Sequence, residues 1–94
     1  MAKLLIEGIN GARVTFPLIE AEVLIGRMDS TDLVLEDPSV SRVHAKIIKE
    51  AGGDVIVDLE SRVGTMVNGE LIARHRLNTG DVIEIASARM EYRE

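Results

Sequence analysis

The stretch Asp37–Ile47, DPSVSRVHAKI, changes character half-way along. Its first half is turn-like, with Pro38, Ser39 and Ser41 and a lone arginine, Arg42. From Val43 onward the pattern is that of a strand: Val43, Ala45 and Ile47 alternate with His44, Lys46 and Ile48. A serine and an arginine therefore stand at the mouth of a strand, with His44 just inside it.

The same period of two recurs along the chain. Val14, Phe16 and Leu18 alternate with Arg13, Thr15 and Pro17. Val23 and Ile25 follow, then Leu33 and Leu35, then Val55, Val57 and Leu59, then Ile83 and Ile85, then Met90 and Tyr92. Turn signals divide these runs at Asn10-Gly11, Gly52-Gly53, Asn68-Gly69 and Gly80-Asp81. The run Glu70–Leu77, ELIARHRL, has a helix-like composition but no clear N-cap, and it is too short to persist alone. It reads as a short strand and a loop, with Arg74, His75 and Arg76 as a solvated basic cluster. Many short strands and frequent turns predict an all-β fold, a sandwich or a small barrel. At 94 residues, one domain spanning 1–94 is expected.

Composition removes several function classes. There is no cysteine, hence no disulfide or thiol nucleophile. His44 and His75 are the only imidazoles and lie far apart in sequence, so no metal and no cofactor is expected. A formal net charge of −5 argues against nucleic acid, and one Phe and one Tyr make a poor base-stacking platform. No segment has the length of a membrane span or of a signal-peptide core, so a cytoplasmic protein that binds no membrane is expected. No nucleophile elbow or phosphate loop opening a helix is present, which favours binding over catalysis.

Three irregular segments each carry an arginine: Arg27 in Arg27–Asp32, Arg42 in Asp37–Arg42, and Arg62 in Glu60–Thr65. Loops on a rigid sandwich carry binding residues, and a guanidinium matches phosphate or carboxylate. If the loops meet, they form an anion site with Ser41, Ser61 and Thr65 nearby. The spacing alone equally allows arginines that merely keep the surface soluble.

The blocks LIGR (24–27), STDLVLEDPSVSRVHAKI (30–47), DLESRVGTMVNG (58–69) and LNTGDVIEI (77–85) together resemble a forkhead-associated (FHA) domain, over nearly the whole chain. The resemblance implies a twisted sandwich of two β-sheets with about eleven short strands. It also implies a phosphothreonine-binding site at one end, with phosphorylated kinase substrates as partners in signalling. By the family's pattern, Arg27 and Ser41 contact phosphate and Arg42 often does. Gly26 ends the third strand, His44 braces the loop, Gly64 and Thr65 form the GT of an NGT turn, and Asn68 and Gly69 form the NG pair.

Val63 departs from that pattern. The family usually has asparagine there, holding the peptide backbone. Losing that hydrogen bond costs on the order of 1 kcal/mol, a several-fold to more than tenfold loss of affinity. Arg62 occupies a position where a smaller polar residue is common; it either adds a third charge beside phosphate or faces solvent. Ala86 and Ser87 stand where the family commonly turns on glycine. Two readings follow: a phosphothreonine-peptide reader, or a scaffold that self-associates or binds without regard to phosphate.

Overall fold

Backbone pairing joins the short runs into two sheets. The computed structural model describes residues 1–7 and 12–94; the turn expected at Asn10-Gly11 lies outside them. Eleven strands follow in chain order: β1 (Lys3–Glu7), β2 (Arg13–Pro17), β3 (Glu22–Gly26), β4 (Leu33–Val34), β5 (Ala45–Glu50), β6 (Gly53–Asp58), β7 (Thr65–Val67), β8 (Glu70–Ile72), β9 (Arg74–Arg76), β10 (Val82–Ile85) and β11 (Ala88–Arg93). One sheet has six strands in the order β2-β1-β11-β10-β7-β8, the other five in the order β4-β3-β5-β6-β9. All described strand pairs are antiparallel except β3 with β4.

The core is the seam between the sheets. Leu4, Ile6, Ile83, Ile85, Met90 and Tyr92 come from the larger sheet, and Val23, Ile25, Ala45, Ile47 and Ile56 from the smaller. Tyr92 crosses the seam at one end: its hydroxyl donates to the buried Asp54 carboxylate at 2.5 Å. Burial, then this neighbouring acid, pushes the Tyr92 phenol well up from its ordinary value.

Several expectations are corrected. β1 was not foreseen: its LLI run hides an alternation in which Leu4 and Ile6 enter the core and Leu5, on the other face, is half-buried. In β6 the inward face is Asp54, Ile56 and Asp58, since Ile56 pairs with Ile47 of the core. Val55 and Val57 therefore take the opposite face of the sheet, where Val55 is still buried and Val57 is half-buried. The inward carboxylates are tolerated because each finds donors: Tyr92 and Lys49 for Asp54, Ser61 and Thr65 for Asp58. Glu70–Leu77 is two strands in different sheets, β8 and β9, not a strand and a loop. Arg74 and Arg76 face Glu50, and His75 turns to Asp81 at 3.0 Å, so this basic trio is paired on a strand. Strand β5 begins at Ala45, so exposed Val43 precedes it.

The turn residues behave as their chemistry demands. Asn68 and Gly69 both take positive φ, 52° and 83°, in the two-residue connection between Val67 and Glu70. Ala86 also takes positive φ, 53°, in the two-residue connection between Ile85 and Ala88. A Cβ at this conformation is penalised. Ala86→Gly is therefore expected to raise stability by about 0.5–1 kcal/mol, after allowing for the extra freedom of glycine in the unfolded chain. Urea unfolding of the two proteins checks this; an unchanged or lower midpoint would show that the turn carries no such strain.

Candidate functional site

The three arginine-bearing loops meet at one end of the sandwich, and the contact begins at Gly26. A Cβ on Gly26 would sit 2.2 Å from the Arg42 carbonyl oxygen and 3.0 Å from the Val43 Cα. The β4–β5 loop thus lies directly on the end of β3, which only a residue without a side chain permits. Backbone bonds fix it there: Arg27 N–H to Ser41 O (3.1 Å), Met28 N–H to Arg42 O (3.2 Å) and His44 N–H to Ile25 O (2.8 Å).

His44 ties in the third loop. Fully buried, it accepts the Ser41 N–H at Nδ1 (3.1 Å). Because Ser41 N–H is a donor, the other ring nitrogen carries the hydrogen in the neutral ring. Nε2–H then donates to Gly64 O at 2.8 Å, twenty residues away in sequence. Ser41 Oγ in turn accepts the Arg62 N–H at 2.9 Å.

Asp58 organises the same loop from below. Its carboxylate accepts Ser61 N–H (3.1 Å), Ser61 Oγ–H (2.6 Å) and Thr65 Oγ1–H (2.8 Å), and Ser61 Oγ accepts Gly64 N–H (3.0 Å). Burial alone would push this carboxyl up; the hydrogen bonds from Ser61 and Thr65 outweigh it and hold it below the ordinary value. A depressed native pKa stabilises the fold above the unfolded-state value, and the gain disappears as pH falls through the native one. Wild-type stability should therefore fall across roughly pH 5 to 2, and Asp58→Asn should flatten that limb. Asp37 and Asp81 are lowered too, so the limb keeps part of its slope. Urea midpoints against pH test this; identical acid limbs would exclude an Asp58 contribution.

The site is cationic although the chain is acidic. Among the described residues, Arg74, Arg76, Arg89 and Arg93 pair with carboxylates, whereas Arg27, Arg42 and Arg62, like Arg13 on β2, form no ion pair. Arg27 is held in place by its Nε–H, which donates to Val40 O at 3.0 Å and leaves the terminal nitrogens for a ligand. The Ser41 hydroxyl accepts from Arg62 and keeps its own hydrogen to donate. The two departures from the family's pattern in this loop lie on this surface: Arg62 and Val63 are exposed, and Val63 offers no polar side-chain atom.

Asn68 and Gly69 work elsewhere. Asn68 Nδ2–H donates to Asp81 (2.9 Å) and its Oδ1 accepts Val82 N–H (2.9 Å), clamping the β7–β8 turn to the start of β10. Asp58 was not singled out from the sequence. Its signal was present as Asp-x-x-Ser, the spacing at which a carboxylate caps its own turn. Asp37 and Ser87 were also missed: the Ser87 hydroxyl donates to Asp37 at 2.6 Å, tying the β10–β11 turn to the β4–β5 loop.

A family model described as FHA domain matches residues 23–86. The chain belongs to the FHA domain family. This FHA domain is 36% identical, over 84 residues, to the oxoglutarate dehydrogenase inhibitor of Corynebacterium diphtheriae, covering 89% of this chain and 57% of the relative. It is similar in structure to an FHA domain solved in a study of phosphothreonine-dependent FHA interactions, with TM-score 0.85, 28% identity and coverage of 99% and 95% of the two chains. It is likewise similar to Mycobacterium tuberculosis EmbR in complex with a low-affinity phosphopeptide, with TM-score 0.88, 34% identity and coverage of 99% of this chain and 24% of that one. The FHA domain here spans between 9% and 57% of the lengths of these curated relatives.

Proposed function

We propose that the loop end of this FHA domain is a signalling module that binds phosphothreonine-containing segments of kinase substrates. The observation that carries this reading is that Arg27, Arg42 and Arg62, none of them in an ion pair, stand on loops bonded to one another at Ser41, whose hydroxyl accepts from Arg62 and keeps its own hydrogen to donate. A phosphate carries about −1.5 to −2 charges near neutral pH and three acceptor oxygens. Arg27 and Arg42 supply charge-assisted hydrogen bonds, Ser41 donates its hydroxyl, and Arg62 adds a third charge. His44, Gly64 and Thr65 hold the loops in position, and Gly26 lets them approach. The role is binding, and no residue is assigned to catalysis. In this reading the domain works in the cytoplasm, and neither nucleic acid nor membrane is its ligand. The phosphothreonine-dependent interactions and the phosphopeptide complex of the similar structures support this reading.

Val63 favours a second reading, a scaffold that self-associates or binds without phosphate, because it removes a polar grip on the ligand backbone. Titration with a degenerate phosphothreonine peptide pool, beside phosphoserine and unphosphorylated pools, separates the two. The reader predicts saturable binding of the phosphothreonine pool alone. Equal binding of all pools, or none by folded protein, would overturn it in favour of the scaffold.

A further inference from the structure

Strands β2 and β8 end the larger sheet, and β4 and β9 end the smaller. A sheet edge presents unpaired N–H and C=O groups and invites another strand unless it is short, charged or otherwise blunted. β4 has two residues; β8 and β9 have three each, and β9 carries Arg74 and Arg76. β2 is the longest of these edges, with five residues, Arg13–Pro17. Its backbone is open on one side. Leu18 N–H bonds Ala2 O, and the register pairs Phe16 with Leu4 and Val14 with Ile6, so these residues turn their backbone groups to β1. The alternate residues, Arg13 and Thr15, turn theirs to the free edge.

β2 is also uncovered on the face that elsewhere makes the core. Val14 and Phe16 stand beside Ile6 and Leu4 on that face, yet Val14 is 55% exposed and Phe16 only partly buried. The smaller sheet stops short of them: a hollow of about 410 Å³ opens between β2 and β4, with Ile6, Val14, Leu33, Leu35 and Ala88 in its lining. Charge is unmatched here too. Among the described residues, Arg13 and Glu20 are exposed and neither forms an ion pair.

The sequence of β2 is complementary to itself. Two copies paired antiparallel with Thr15 on a two-fold axis set Thr15 against Thr15, Val14 against Phe16 and Arg13 against Pro17. Thr15 N–H then meets the partner copy's Thr15 O, and Arg13 N–H meets the partner copy's Pro17 O, each bond made twice by the symmetry. Val14 gains an aromatic neighbour, a favourable cross-strand pair. Each Arg13 comes alongside the partner copy's Glu20, just past Pro17, so the unmatched charges are complementary. Other registers are poorer. Centring on Arg13 opposes like charges, centring on Val14 brings the two arginines to diagonal positions on one face, and centring on Pro17 places two residues without an N–H at the axis.

We propose that this chain forms a weak two-fold dimer in which β2 pairs with β2 of a second copy, continuing the six-stranded sheet across the axis. Antiparallel pairing turns the two loop ends in opposite directions, so each stays open, and the inference does not depend on the phosphothreonine reading. The contact is small, and its dissociation constant should be on the order of 100 µM. Sedimentation equilibrium from about 10 to 500 µM should show monomer and dimer for the wild type and monomer alone for Val14→Lys, which sets an inward charge on the edge at an exposed position. Arg13→Glu should weaken the dimer about fivefold, and adding Glu20→Arg should restore it. The chain has no cysteine, so single cysteines report the register. Under mild oxidation Thr15→Cys should cross-link about tenfold faster than Arg13→Cys, because directly opposed residues lie about 5.5 Å apart at Cα, within disulfide reach, and residues off the axis do not. A wild type that stays monomeric, a dimer untouched by Val14→Lys, or equal cross-linking of the two cysteine variants would overturn the inference. Val14→Lys should bind phosphothreonine peptide as the wild type does. Absence of peptide binding in both proteins would overturn the phosphothreonine reading and leave the dimer standing.

Discussion

Arg27→Ala is expected to lower phosphothreonine-peptide affinity by about a hundredfold, the largest binding effect of any single substitution at the site. Each charge-assisted hydrogen bond contributes about 1.5–3 kcal/mol, and Arg27 presents both terminal nitrogens of its fork. Its advantage over Arg42 and Arg62 is that it is already ordered: Nε–H is bonded to Val40 O, so less side-chain freedom is lost when phosphate arrives. Alanine also removes that bond, at a cost of about 1 kcal/mol of stability, which leaves the protein folded. Arg27→Lys keeps the charge and loses the fork, and should fall between the two. Calorimetric titration of the wild type and both variants checks the order. Arg27→Ala binding within about threefold of wild type would show that the phosphate sits elsewhere.

Gly26→Ala should have the largest effect on the fold. The added Cβ would meet the Arg42 carbonyl oxygen at 2.2 Å and its carbonyl carbon at 2.9 Å. Both atoms are backbone, so no rotamer change relieves the clash. The β4–β5 loop has to lift off the end of β3, which breaks the Arg27–Ser41 and Met28–Arg42 backbone bonds. Overpacking of this kind costs about 3 kcal/mol, equivalent to a fall in Tm of roughly 15 °C for a domain of this size. Binding should be lost even where the variant is still folded, because Ser41 and Arg42 move with the loop. Gly69→Ala is the control: a Cβ there meets nothing within 4 Å, and only the positive φ is penalised, by about 1–2 kcal/mol. Thermal unfolding of both separates the effects; a Gly26→Ala protein with the Tm of Gly69→Ala would mean that the loop yields cheaply.

The parts of the fold that were legible in the sequence are those governed by local chemistry. Asn68-Gly69 and Gly52-Gly53 announced turns, and their positive φ angles bear this out. Met90 and Tyr92 alternate because β11 has one face in the core. Where two environments compete, the pattern misleads. β6 carries Val55, Ile56 and Val57 in succession, and the sequence offers no reason to choose Ile56 as the inward residue. The choice follows from Asp54 finding Tyr92 and Asp58 finding Thr65, partners that lie 38 and 7 residues away. β9 was hidden because Arg74 and Arg76 look like loop residues until Glu50 is placed beside them.

The sequence by itself determined the identities at the site, Arg27, Ser41, Arg42 and Arg62, and the strand period that puts them in loops. It also determined the valine at position 63, where the family usually has an asparagine. Only the tertiary structure decided that these loops converge. Convergence depends on contacts between distant segments: Gly26 against Arg42, His44 bonded to Gly64, and Arg62 bonded to Ser41. No local periodicity encodes such contacts, because a buried imidazole satisfied on both nitrogens exists only once two loops have closed over it.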